Sequence, residues 1–279
     1  MKKIMIAAAV LVAMTACNKT LIESPIADSE YGYISLGISA DTEMVTTKTM
    51  TDVTNPGNYN IKIYDASSPT AYKHDGKYSD IPASGVPVGA GNRYVVEAEN
   101  ITLEEAEENN SNYGELRVVG KTPDVLVEAG KTSNVEVNCY PVNTEVTVAF
   151  EGSFTNLFNN YSVKVTEDAT NAVTIDKSLR TLDMYVNNTP KHAYFNVDND
   201  SVTLKWVLTA KNKDGVEKSY YKTFTSAKAT KTTLSFAGNG SNGSIIVSIK
   251  AETGMTKAKT TTYTIDPITG NITESESNN

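Results

Sequence analysis

Cysteine is nearly absent from this sequence: two occur in 279 residues, at positions 17 and 139. A disulfide framework is thereby excluded. Histidine is as scarce, and His74 and His192 lie far apart in the chain, so no metal-ligand spacing arises. A serine nucleophile would lack its base, and no Gly-x-Ser-x-Gly elbow is present. Clustered positive charge is missing too. Against 33 Asp and Glu stand only 25 Lys and Arg, for a formal net charge of −8. Without grouped cations the chain is not built for nucleic-acid phosphates or for polybasic attachment to a membrane. Helical periodicity is almost nowhere to be found.

What is present begins at the N-terminus. Lys2 and Lys3 precede the apolar run Ile4–Met14, which ends in Thr15-Ala16-Cys17. A basic n-region, an apolar h-region and a small residue before a cleavage point make a secretory signal. The run is too short to span a bilayer as a permanent helix, which takes about 20 residues. Met14-Thr15-Ala16-Cys17 resembles a bacterial lipobox, which implies cleavage between Ala16 and Cys17 and acylation of Cys17 by fatty chains such as palmitate. Several acyl chains on one residue give a stable anchor, since each buried methylene adds about 0.8 kcal/mol. Removing residues 1–16 leaves 263 residues and a net charge of −10. Attachment is then by lipid alone, at the outer membrane, with the cell-surface or periplasmic face left open.

Asn18–Glu30 is polar and aperiodic, a tether. Beyond it, alternating segments recur between turn residues: 31–40, 59–65, 93–98, 116–119, 125–128, 134–140, 144–150, 161–166, 173–175, 193–197, 202–211, 216–225, 234–236, 244–251 and 260–265. In the longest, Val202, Leu204, Trp206, Leu208 and Ala210 share one face, expected in the core. Thr203, Lys205, Thr209 and Lys211 share the other, expected in water. Lys213-Asp214-Gly215 reads as a hairpin turn. Thr102 and Glu105 form a capping-box pattern, so one short helix is expected there, with a further helical turn at Phe154–Phe158. Residues 66–91, punctuated by Pro69, Pro82 and Pro87, are expected to be turns and short extended pieces, and the tail 267–279 to fray. Pro141-Val142-Asn143 breaks two strong strands, because proline cannot donate to a ladder. The fold class expected is therefore all-β: two tandem β-sandwich domains, immunoglobulin-like or transthyretin-like, at 31–141 and 142–266.

Candidate chemistry is sparse. Cys139 shares a strand face with Val135 and Val137, as a buried thiol would. Asp198-Asn199-Asp200 has the start of a calcium loop but not its glycine or distal glutamate, and a turn accounts for it. Gly89-Ala90-Gly91 lacks the third glycine and helix of a phosphate cradle. A carboxylate pair for glycan hydrolysis among the 33 acids is a remote alternative, because spatial separation is not written in sequence. Among fifteen tyrosines, Tyr72, Tyr78, Tyr113, Tyr220 and Tyr221 are candidates for presenting rings to a sugar or a protein. No cofactor and no catalytic residue is indicated.

The opening Tyr31–Asp41 soon after a lipobox, Val86-Pro87-Val88-Gly89 followed by Tyr94–Ala98, Val127–Val135 with Cys139, and Lys211–Gly215 together resemble Bacteroidota lipoproteins classed under domain of unknown function 4493. More distantly the chain is similar to the fimbrillin-type lipoproteins of the same bacteria. The resemblance implies an envelope lipoprotein of β-sandwich domains without a catalytic set. It leaves three roles: binding of protein or glycan, a fimbrial accessory or anchor subunit working by strand exchange, and the remote hydrolase. Asp200-Ser201-Val202 also fits the O-glycosylation pattern of those bacteria, with Ser201 as acceptor.

Overall fold

The computed structural model describes residues 30–40, 53–108, 113–186, 189–253 and 256–278. Ala16, Cys17 and the tether through residue 29 lie outside the described residues. The chain is all-β. Its strands, in order, are β1 Tyr31–Ala40, β2 Asn60–Asp65, β3 Ser68–Lys77, β4 Val86–Gly89, β5 Arg93–Glu99, β6 Val118–Lys121, β7 Val125–Leu126, β8 Thr132–Pro141, β9 Asn143–Phe150 and β10 Phe158–Thr166. There follow β11 Thr181–Asp183, β12 Tyr185–Val186, β13 Thr189–Pro190, β14 His192–Asn196, β15 Ser201–Asn212, β16 Glu217–Ala227, β17 Lys231–Gly238, β18 Ile245–Thr253, β19 Thr256–Ile265 and β20 Ile272–Asn278. Among the described residues two short α-helices, α1 Leu103–Glu108 and α2 Gly152–Thr155, interrupt them.

The capping box forms as its spacing predicts. The Thr102 hydroxyl accepts from the Glu105 N–H at 3.2 Å, and the Glu105 carboxylate accepts from the Thr102 N–H at 2.8 Å. The Lys213-Asp214-Gly215 turn joins β15 to β16, with Gly215 at φ +86, a conformation that costs a side chain and spares glycine. The break at Pro141 is one residue wide: Pro141 closes β8 opposite Val118, and the Val142 N–H bonds the Arg117 carbonyl at 3.0 Å.

An eight-stranded sheet has the order β3-β2-β5-β6-β8-β1-β4, with β7 paired to β5. A six-stranded sheet runs β14-β9-β17-β18-β19-β20, a four-stranded sheet β11-β10-β15-β16, and β12 pairs with β13. The chain divides into two compact units. Unit 1 takes in residues up to Gly37, Ile61–Glu97 and Thr122–Val137; unit 2 takes in Ile38–Asn60, Ala98–Lys121 and Asn138–Asn279.

In unit 1, Ile34, Ile61, Ile63, Tyr94, Val96, Val127 and Val137 are fully buried. Gly32 on β1 has no room for a side chain, since a Cβ would stand 2.5 Å from the Glu128 carbonyl oxygen and from the Val127 side chain. In unit 2 the four- and six-stranded sheets share one core, where Val163, Val165, Leu204, Trp206 and Leu208 meet Val146, Val148, Leu234, Phe236, Val247 and Ile265. Each such side chain contributes roughly 1.5–3 kcal/mol by leaving water. Trp206 is completely buried, the core position its strand pattern predicts.

Four expectations are corrected. Lys205, expected in water, is completely buried. Val173–Ile175 is not a strand but part of a bent connection, because the carbonyls of Ala172 and Thr174 turn toward the Lys205 ammonium rather than toward a ladder. The 66–91 stretch contains the ten-residue strand β3, which stands at a sheet edge and shows no alternation because most of it is exposed on both faces. The C-terminal stretch does not fray within the described residues: β20 pairs with β19 from Ile265↔Ile272 to Lys259↔Asn278. The reversal is held by Asp266, whose carboxylate accepts from the N–H groups of Ile268 and Thr269.

Candidate functional site

An open groove of unit 2 lies where β10 begins. Glu151 opens α2, its carbonyl accepting from Phe154 at 2.9 Å, and the chain then enters β10 at Phe158. Along β10 the pairing with β15 runs Phe158↔Asn212 and then Asn160↔Lys211, so Asn159 is an inserted residue, a β-bulge. The bulge shifts the inside–outside alternation by one. Phe158 and Tyr161, three apart, both turn inward, while Asn159 and Asn160 between them are both exposed.

Rings pack behind the bulge. Phe154, fully buried, stacks on Phe158 at 4.6 Å and meets Tyr161 edge-on at 5.2 Å. Phe150 lies 4.4 Å from Tyr161, 4.7 Å from Tyr185 and 5.1 Å from Phe236. Tyr161 and Tyr185 stack at 5.3 Å with hydroxyls 3.5 Å apart. Burial, then the hydrogen bond and field of Tyr185, push the Tyr161 phenol up to about 12. The result is an open groove of about 470 Å³ lined by Thr155, Phe158, Asn159, Asn160, Tyr161 and Tyr185. Among the described residues no carboxylate, imidazole, amine or thiol lines it.

The far end of β10 is the opposite in kind. Lys205, paired across from Thr166, sends its ammonium into the loop that follows β10. There it lies 3.1 Å from Asp168 Oδ2, 3.3 and 3.1 Å from the carbonyl and hydroxyl oxygens of Thr170, 3.0 Å from the Ala172 carbonyl and 2.9 Å from the Thr174 carbonyl. The Asp168 carboxylate also accepts from the N–H groups of Thr170 and Asp176. Hydrogen bonds from Thr170 above all, then from Asp176 and Lys205, hold its pKa well below the usual carboxylate range. This cage is closed and saturated.

The five tyrosines singled out from sequence divide between the two units. In unit 1, Tyr72 is exposed on β3 and meets Tyr64 edge-on at 6.1 Å, while the Tyr78 hydroxyl bonds the Leu36 carbonyl. In unit 2, Tyr113 donates to the Asp183 carbonyl, Tyr220 is buried, and Tyr221 donates to the Asn171 carbonyl. The rings brought together, Tyr161 and Tyr185, are others, and no local pattern links them across a separation of 24 residues.

Ser201 is exposed at the first position of β15, opposite Ala227. Asp198-Asn199-Asp200 is the turn before it, and among the described residues no three metal-ligating side chains cluster. Cys139 is buried, as its pattern predicts. His192 Nδ1 lies 2.7 Å from Oε1 of the fully buried Glu145, an ion-pair position that sequence did not reveal. No described helix is long and apolar enough to cross a membrane.

The family model for Domain of unknown function (DUF4493) matches residues 30–267. No curated protein matches the chain significantly. Among solved structures it is similar to the fimbrial anchor protein Mfa2 from Porphyromonas gingivalis, at 12% identity over 80% of this chain and 97% of that one, TM-score 0.42. It is also similar to a fimbrial assembly protein from Parabacteroides distasonis, at 11% identity over 88% and 98% of the two chains, TM-score 0.39. Nothing about the architecture or the partners of this chain follows from these two similarities.

Proposed function

The chain belongs to the DUF4493 family, and from that premise we propose that it is a non-enzymatic binding protein of the cell envelope. In this reading Ala16–Cys17 is the cleavage point and Cys17 carries the lipid that holds the protein at the outer membrane. Behind it stand tandem β-sandwiches, divided near Pro141–Asn143, that engage a protein or a glycan. The observation that carries the binding role is the groove at the start of β10, uncharged, backed by packed rings and open to solvent. The test is a native pull-down alongside a glycan array, using the full chain in detergent. A protein or glycan ligand is expected, and silence in both overturns the reading. Mass spectrometry of the membrane form checks the anchor, where an unacylated Cys17 would remove it. Mass spectrometry of the same material checks Ser201 for a glycan. Protease shaving of intact cells assigns the face.

A second reading, a fimbrial accessory or anchor subunit, is favoured by the position of β20. It stands at a sheet edge, and its described side chains are mostly exposed. Exchange would displace a strand already paired with β19 over seven residues. Light scattering with cross-linking decides: a strict monomer that captures no fimbrial subunit ends this alternative.

A further inference from the structure

We propose that the groove formed by the Asn159 bulge and the Tyr161–Tyr185 pair is a binding site for a neutral glycan. This rests on the binding role above and names its ligand class. The argument starts from charge. All six lining side chains are uncharged, so a phosphate, sulfate, uronate or ammonium would surrender hydration without a compensating partner. A neutral ligand does not incur that cost.

Next come the donors and acceptors. Each Asn amide offers two N–H donors and a carbonyl acceptor, and each phenol and the Thr155 hydroxyl can both donate and accept. Such ambivalent groups match vicinal sugar hydroxyls, which also donate and accept. In an unbroken strand Asn159 and Asn160 would point to opposite faces, whereas the bulge leaves both exposed beside the same groove. The Asn159 and Asn160 amides are thus delivered to one groove by a local irregularity of the strand.

Apolar contact comes from the tyrosines. Their rings are fixed by Phe150 and Phe154, so little side-chain entropy is lost when a ligand seats against them. A sugar presents C–H groups to such rings while its hydroxyls reach the amides. The space, about 470 Å³, lies within the range of small-ligand sites. A peptide would instead be read by main-chain pairing at a strand edge or by a deep apolar pocket. The groove is open and polar.

The experiment uses the full chain in detergent. An array of neutral gluco-, xylo-, manno- and galacto-oligosaccharides is run beside uronate-containing and sulfated glycans, and hits are measured by calorimetry. Neutral glycans are expected to bind, with affinity unchanged between about 0.05 and 0.5 M salt because no charge is screened. The double variant Asn159→Ala/Asn160→Ala should lose roughly tenfold or more in affinity at an unchanged melting temperature. Tyr185→Phe should weaken binding less, and Tyr72→Ala in unit 1 not at all. Hits confined to charged glycans, or full affinity in the asparagine double variant, overturn the proposal. A protein partner without any glycan hit also overturns it while leaving the binding role standing; no ligand of either kind overturns both.

Discussion

One strand, β10, ends in two opposed solutions to the same problem of polar groups near a core. At its far end the Lys205 ammonium meets five oxygens, all supplied by the chain, and is sealed from water. At its near end the Asn159 and Asn160 side chains stand exposed beside rings that are locked in place. The difference teaches where to look for function. Saturated polar clusters are used up by the fold, and the residues left for a ligand are those held rigid from behind but open in front.

The largest expected effect is at the closed end. Lys205→Met removes the cation from the loop and leaves the Asp168 carboxylate and three carbonyls short of their partner. The melting temperature is expected to fall by roughly 10 °C, read by calorimetry, with the groove's ligand binding intact after refolding in the cold. A Met variant as stable as the parent would erase the contrast. Next is Phe154→Leu, which thins the wall of rings behind the groove at roughly 1–2 kcal/mol, followed by urea unfolding. It should reduce binding as well, because here packing and site are joined.

Acid should act on the closed end first. The Asp168 pKa is lower in the folded chain, so the stability it contributes is present above the ordinary carboxylate pKa of about 4 and is lost as pH falls below it. Urea midpoints measured from pH 6 to 2 should drop, and Asp168→Asn should flatten the decline while lowering the plateau. A smaller effect belongs to the open end. Asn159→Ala/Asn160→Ala should change stability by no more than about 0.5 kcal/mol, since both side chains are exposed.

The smallest is alkaline. Tyr161 is pushed up to about 12, so its folded form stays protonated where an unfolded tyrosine ionises. Stability is therefore unaffected below about pH 10 and falls as pH rises from there. In Tyr185→Phe, an NMR titration of the Tyr161 ring should show a lower midpoint, the hydrogen bond and the neighbouring phenol's field having gone.

Much of the architecture is legible in residues. Alternation placed Cys139 and Trp206 in cores, Thr102 and Glu105 announced α1, and Lys213-Asp214-Gly215 announced a hairpin. The failures have a common cause. Lys205 sits at an outward position of an alternating strand, and only the folding back of residues 168–176 over it takes it out of water. β20 looks like a polar tail because an edge strand needs few apolar residues once its neighbour supplies the ladder. The Asn159-Asn160 pair carried no mark of its role, since a bulge is visible only in the register of two strands.

By itself, then, the sequence determined most of the strands, the turns, the short helix and an N-terminal signal pattern, because period-two alternation, capping and turn chemistry are local properties. Tertiary structure alone decided that Lys205 would be caged, that Tyr161 would meet Tyr185, and that two adjacent amides would stand open beside them. Those outcomes depend on which segments become neighbours, and that pairing is settled by non-local packing.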